Sequence, residues 1–170
     1  MCNQKALRYA GVVTTVFWLD DLEMQAWRSL LSAHSRLMAR LDAELQASQG
    51  MSVSDYGVLV QLSEADEGRM RMSELAERLL LSPSGLTRRL DGLVRAGLVD
   101  RARCPTDRRG AFAVLTAAGR IRLQEAAPDH VDQVRRHFVD RLTRAQLEAL
   151  VDALRKVTDS PPCSEGPQER

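Results

Sequence analysis

The chain has 170 residues and a formal net charge of only +1, which suits one domain with a sizeable core. The charge is unevenly spread: residues 82–122 contain nine arginines and three aspartates, a net +6, typical of either a phosphate-binding face or a solvated surface. Cys2, Cys104 and Cys163 exclude a disulfide framework and a CxxC zinc or redox motif by their number and spacing. This cysteine usage predicts a cytosolic protein.

One continuous apolar run, AGVVTTVFWL at residues 10–19, raises the question of a membrane or secretion signal. Lys5 and Arg8 precede it, as in a signal peptide. Ten residues are too few to cross a bilayer, however, and Asp20 and Asp21 stand where small cleavage-site residues would be expected. The sequence therefore favours a cytoplasmic location without membrane association, and secretion or anchoring is the weaker alternative.

Three helices are predicted in the first half of the chain. Apolar residues recur at three- and four-residue steps from Asp20 to about Ser48, which predicts a long amphipathic helix. A shorter helix follows with Ser54 as its cap, and a brief third helix is predicted with Ser73 as its cap.

The segment LSPSGLTRRLDGLVRAGLV is the most informative part of the sequence. Ser82 at the cap, Pro83 at the first helical position and Gly97 just past the end predict a well-delimited fourth helix. Leucines at 86, 90 and 93 form one stripe, and the opposite stripe is polar and basic: Ser84, Thr87, Arg88, Asp91 and Arg95. Two short helices joined in this way predict a helix-turn-helix.

A β-hairpin is predicted next. Residues 98–103 and 111–116 read as strands, and the intervening CPTDRRG at 104–110 reads as their loop. A hairpin that follows a helix-turn-helix is a wing. Arginines at its tip can serve DNA binding or can simply keep an exposed loop hydrated.

Two C-terminal helices complete the prediction. Thr116 caps a long helix that Pro128 should kink, and Thr143 with Gln146 forms a capping box for the last helix. The predicted fold is mainly α with a small β-wing. Its predicted parts are an N-terminal extension (1–19), a dimerisation helix (20–51), a winged helix-turn-helix lobe (52–116), C-terminal dimerisation helices (117–158) and a disordered tail (159–170).

The motifs SELAERLLLSPSGLTRRLDGLVRAGLVDR and DRRGAFAVLTAAG, in this order of elements, resemble the MarR family of winged helix-turn-helix transcriptional regulators. The similarity runs from about residue 18 to residue 157. The wing's D-x-R corresponds to Asp107 and Arg109. The helix motif T-R-x-x-D corresponds to Thr87, Arg88 and Asp91, and Gly92 departs from the arginine that commonly follows it.

The resemblance implies that the fourth helix enters the major groove of double-stranded DNA while the wing reaches the neighbouring minor groove. Arg109 is expected to enter that minor groove, and Asp107 and Asp91 to support the wing. Arg88 is the favoured contact of the helix, and Arg89 is left open between a phosphate contact and a solvated face. The expected DNA-binding residues are Ser82, Ser84, Thr87, Arg88, Arg89, Arg95, Arg108 and Arg109.

The resemblance also implies a homodimer that binds a pseudo-palindromic operator as a repressor and is released by a small aromatic or anionic ligand. Trp27, His34, Met38 and Tyr56 are the candidate ligand residues, although each could be core instead.

Three other functions fit the sequence less well. An enzyme is not expected, because His34, His130 and His137 lack metal-motif spacing and the chain has neither a phosphate loop nor a nucleophile elbow; no metal or cofactor is predicted. A redox regulator acting through Cys104, whose thiol has arginine neighbours, is an alternative. The other alternative is a protein-interaction module without DNA binding, against which Arg88 and Arg109 together argue.

Overall fold

The structure, a computed structural model, describes residues 4–9, 12–103 and 111–159. It separates into two compact units, residues 1–54 and residues 55–170. The elements are mainly helical, with one small three-stranded sheet in the second unit, so the predicted fold class is confirmed. None of the helices in the described part of the chain combines the length and the apolarity that a bilayer crossing requires.

The first unit begins with a hairpin that the sequence did not predict. Strand β1 (Gln4–Tyr9) pairs antiparallel with β2 (Val12–Phe17), and Lys5 stands opposite Val16. The β-branched run VVTTV, which favours strands, was a usable signal for β2.

Helix α1 (Asp21–Gln49) follows, as predicted. Asp20 caps it in a reciprocal capping box with Glu23, each side chain accepting the other's backbone N–H at 2.8 Å. Leu41 and Leu45 are buried near its C-terminal end, and Gly50 ends it with a φ of 60°.

From residue 53 onward the order of elements is that of a winged helix-turn-helix followed by two helices. These elements are α2 (Val53–Ser63), β3 (Arg69–Arg71), α3 (Met72–Arg78), α4 (Pro83–Arg95), β4 (Val99–Arg103), β5 (Ala111–Leu115), α5 (Ala117–His137) and α6 (Arg144–Thr158). Short 3-10 turns lie at Asp66–Gly68 and Val139–Arg141.

The sheet has the antiparallel order β3-β5-β4, and Phe112 stands between Arg71 on one side and Ala102 on the other. The predicted hairpin is confirmed, but strand β3 was missed. The core is built from residues of the helices and the sheet, namely Val58, Leu59, Leu62, Met70, Leu75, Leu86, Leu90, Leu93, Val99, Ala113 and Leu115.

Two predicted helix caps are wrong. Ser54 lies inside the first turn of α2, and the Val53 N–H instead donates to Asp42 Oδ1 of α1 at 2.9 Å. Ser73 lies inside α3, which has Arg71 as its N-cap residue and no side-chain cap.

The caps predicted for the two C-terminal helices are correct. Thr116 accepts the Gly119 N–H at 2.9 Å, and Thr143 forms a capping box with Gln146. The first of these helices ends at His137 and contains Pro128 in its interior.

The turn between α3 and α4 contains a leucine in the left-handed region. Leu80 has a φ of 52° and is 93% exposed, a conformation that glycine adopts far more readily. The Leu80 N–H donates to the Glu77 carbonyl at 3.0 Å, and the Leu81 N–H donates to the Ala76 carbonyl at 2.9 Å. These two hydrogen bonds form the Schellman motif, which ends a helix and turns the chain.

Candidate nucleic-acid interface

Helix α4 is delimited at both ends by local interactions. Ser82 Oγ accepts the Gly85 N–H at 3.1 Å, and Pro83 occupies the first helical position. At the other end the Gly97 N–H donates to the Val94 carbonyl at 2.9 Å, and Gly97 has a φ of 71°. The predicted start and end of this helix are therefore confirmed.

The two faces of α4 differ sharply in burial. Leu86, Leu90 and Leu93 are buried in the core. The opposite face is exposed and carries Ser84, Thr87, Arg88, Asp91, Gly92 and Arg95. The structure thus brings most of the predicted DNA-binding residues onto one face of one helix, with Ser82 at its start.

Hydrogen bonds already occupy several polar groups on this face. Thr87 Oγ1 donates to the Pro83 carbonyl at 2.9 Å, and the Ser82 and Ser84 hydroxyl oxygens lie 3.2 Å apart. Arg95 Nε donates to the Asp91 carbonyl at 3.2 Å.

Arg88 and Arg89 are adjacent in sequence but have different surroundings. Arg88 is exposed, and it forms no hydrogen bond or ion pair with the residues that the structure describes. Arg89 Nη1 lies 3.3 Å from Asp55 Oδ1 of α2, and only 29% and 33% of the two side chains are exposed. Arg88 is therefore available to an incoming anion, whereas Arg89 is held against α2.

Asp91 connects the helix to the wing. Its Oδ1 lies 2.8 Å from Arg101 Nη2 of β4, and the same nitrogen donates to the Thr87 carbonyl at 3.1 Å. Arg101 was not among the predicted site residues. The alternation of side chains along a strand could have indicated it, because Arg101 lies two residues after the buried Val99 and therefore on the same face of β4.

A further pair of arginines lies at the edge of the sheet. The guanidinium carbons of Arg69 and Arg71 are each 5.4 Å from the centre of the Phe112 ring, within the range of a cation–π interaction. Arg69 Nε also lies 3.2 Å from Glu67 Oε2. These arginines precede the basic stretch recognised in the sequence and were not predicted to belong to the site.

The predicted residues of the wing tip are Asp107, Arg108 and Arg109, with Cys104 as the alternative redox group. All four lie outside the described residues. The roles expected for them remain predictions.

The four candidate ligand residues divide between the two units. Trp27, His34 and Met38 are exposed on α1. Tyr56 lies on α2, half-buried, and its ring centre is 4.4 Å from that of His130 on α5.

Burial favours the neutral forms of Tyr56 and His130. Burial raises the pKa of the Tyr56 phenol and lowers the pKa of the His130 imidazole. His130 Nδ1 and the buried Gln133 Oε1 are shielded from solvent and have no hydrogen-bond partner among the described residues. Neither His130 nor Gln133 was predicted, although their spacing of three residues on an amphipathic helix indicates a shared face.

Known proteins are similar to this chain in both sequence and fold. A sequence profile of the MarR family matches residues 49–110. The transcriptional repressor YetL of Bacillus subtilis is 33% identical over 116 residues, which are 68% of this chain and 69% of YetL.

Solved structures from Streptomyces coelicolor are more similar still. AbsC, a MarR family transcriptional regulator, superposes with a TM-score of 0.80 at 42% sequence identity. The match covers 85% of this chain and 97% of the AbsC chain. Sco3205, a MarR family transcriptional regulator solved in complex with DNA, gives a TM-score of 0.80 at 41% sequence identity. That match covers 84% of this chain and 92% of the Sco3205 chain. The chain therefore belongs to the MarR family and is a DNA-binding transcriptional regulator, not an enzyme.

Proposed function

We propose that the protein is a homodimeric repressor that inserts α4 into the major groove of each half of a pseudo-palindromic operator and extends its wing into the adjacent minor groove. The observation that carries this proposal is the exposed outer face of α4. Arg88 on this face binds none of the described residues, while the leucines on the opposite face are buried. The proposed contacts on the helix are Ser82, Ser84, Thr87, Arg88 and Arg95, and those on the wing are Arg108 and Arg109. Asp91 and Asp107 support the wing in this proposal.

The homodimer is supported by apolar side chains that are exposed on three helices. Helix α6 has no buried residue, yet Val151, Leu154 and Val157 lie along it. Helix α1 exposes Leu22, Trp27, Leu30, Leu31 and Met38, and α5 exposes Ile121 and Val131. Apolar surface of this extent on three helices favours burial against a second copy.

A repressing role and a cytoplasmic location complete the proposal. YetL, the repressor that is 33% identical, supports a repressing role, since a dimer on a promoter can exclude polymerase. A regulator must share a compartment with the chromosome, which favours the cytoplasm. Transcription in vitro from a promoter that carries the bound site should fall as the protein is added.

The effects of Arg88→Ala and Arg109→Ala should differ in kind. Arg88→Ala removes a major-groove contact and should lower discrimination between operator and random DNA by about tenfold or more. Arg109→Ala should weaken binding most where the flanking minor groove is narrow and A·T-rich. Gel-shift titration on operator, random and flank-altered duplexes measures both effects.

The operator duplex for these titrations comes from one experiment, in which genomic fragments bound by the protein are selected and sequenced. Arg144→Ala is the control for the loss of one positive charge, because its side chain is 87% exposed. Light scattering checks that this variant is still a dimer, since Arg144 lies on the proposed interface helix α6. Equal losses on operator and random DNA for both variants would contradict the assignment of Arg88 and Arg109.

We further propose that a small aromatic or anionic ligand relieves repression by binding at Tyr56 and His130. The two rings are in contact, and His130 Nδ1 and Gln133 Oε1, which have no hydrogen-bond partner among the described residues, can each form one hydrogen bond with a polar ligand. Trp27, His34 and Met38 on α1 remain ligand candidates from the sequence alone. A ligand that changes the separation of the two α4 helices would release both half-sites, because DNA fixes that separation at about one helical turn.

A panel of aromatic acids, phenols and metabolites titrated against the protein–operator complex should contain compounds that release the DNA. By thermodynamic reciprocity such a compound must bind the free protein more tightly than the complex, by the same factor. Tyr56→Phe, which keeps the ring, should weaken its effect. If no compound releases the DNA and an oxidant does so only when Cys104 is present, the redox alternative replaces the ligand.

A further inference from the structure

The surroundings of Arg89 indicate a role different from that of its neighbour Arg88. Consecutive residues of a helix point about 100° apart, so Arg89 is turned from the exposed face toward α2. Its guanidinium makes an ion pair with Asp55 at 3.3 Å, and its Nε is buried with no hydrogen-bond partner in the described part of the chain. Reaching a phosphate would therefore require Arg89 to abandon a partly buried carboxylate.

The beginning of α2 contacts two other helices through consecutive residues. Asp55, in its first turn, binds Arg89 of α4. The ring of the next residue, Tyr56, packs against that of His130 of α5, with 44° between the ring planes. The first turn of α2 thus bridges the helix proposed to enter DNA and a helix proposed to build the dimer.

We infer that Asp55 and Arg89 are a positioning pair, which sets the orientation of α4 for DNA and makes no phosphate contact itself. The inference rests on the proposed role of the outer face of α4. A two-fold symmetric operator accepts only a narrow range of α4 positions, so a small rotation of the helix in both subunits affects both half-sites.

The test uses the full chain with four variants: Asp55→Asn, Arg89→Gln, Arg89→Lys, and the charge-exchanged double variant in which Asp55 becomes Arg and Arg89 becomes Asp. The dissociation constant is measured at several salt concentrations, on the duplex recovered from the genomic selection and on a random duplex of equal length. Thermal melting and light scattering are recorded for each variant.

A positioning pair predicts that each single variant weakens operator binding by about tenfold, the range of coupling between contacting residues. The slope of affinity against salt should not change, since no phosphate contact is lost. The exchanged double variant should recover most of the affinity. Arg89→Lys retains the charge but not the planar fork, and should also lose affinity with an unchanged slope.

A phosphate contact predicts the opposite pattern. Arg89→Gln would then reduce the slope of affinity against salt by the amount expected for about one phosphate contact per subunit. Asp55→Asn would leave operator binding unchanged or tighten it, and the charge-exchanged double variant would not recover affinity. That pattern, or single losses that the exchange fails to restore, overturns the inference. Arg88→Ala is measured in parallel, because its failure to lower discrimination would refute the proposed DNA face itself and not the pair.

Discussion

Gly119→Ala should destabilise the protein by about 3 kcal/mol, at the upper end of what overpacking costs. A Cβ at this position would lie 2.1 Å from the Leu98 carbonyl oxygen and 2.8 Å from Leu115 Cδ1. The Leu98 carbonyl cannot easily move, because it accepts the Thr116 N–H at 3.1 Å, and Thr116 Oγ1 donates to the Gly97 carbonyl at 2.7 Å. Urea unfolding followed by circular dichroism measures the loss.

Gly92→Ala is the matched control, since it makes the same change inside a helix where nothing lies within 4 Å of the new Cβ. Alanine should raise stability there by about 1 kcal/mol through its helix propensity. A Gly119→Ala variant with an unchanged unfolding midpoint would show that the wing and α5 are not joined as closely as described. Two glycines of one chain are thus expected to respond to alanine with opposite signs.

Helix α4 and the caps of the C-terminal helices could be predicted because their signals are local. Ser82, Pro83 and Gly97 act within a few residues of the helix ends that they define. Thr116 and Thr143 likewise bond to backbone groups three residues away. Such interactions form wherever the segment is helical, so the sequence alone reveals them.

The missed features depend on residues that are distant in sequence. Strand β3 has three residues and exists because β5 pairs with it, so its sequence carries little strand signal. Ser54 does not cap α2, because the Val53 N–H donates to the Asp42 side chain, eleven residues before Val53. A local pattern cannot report a partner brought in by folding.

The candidate site shows the same division. Helical periodicity correctly placed Ser84, Thr87, Arg88, Asp91 and Arg95 on one exposed face. Periodicity did not separate Arg89 from the DNA-facing residues, because Asp55, with which it forms an ion pair, lies 34 positions away in the sequence.

Leu154→Arg should convert the proposed dimer into a monomer and weaken operator binding by about 100-fold or more, because linked binding of two half-sites is lost. Leu154 is 38% exposed on α6 and lies between Val151 and Val157 on a helix without buried residues. An arginine there would bring like charges together across a two-fold interface. Light scattering gives the mass, and gel-shift titration gives the affinity.

Leu80→Arg is the control for mass, because it makes the same substitution at a 93% exposed leucine outside the three proposed interface helices and should leave the dimer intact.

Operators with five extra base pairs between the half-sites then separate lost dimerisation from a damaged DNA face. The insertion turns one half-site to the opposite side of the duplex, so the unaltered protein should lose affinity for it. A monomeric Leu154→Arg protein contacts one half-site at a time and should bind the normal and lengthened operators equally. If that variant remains a dimer, or if it still distinguishes the two operators, the interface does not include α6.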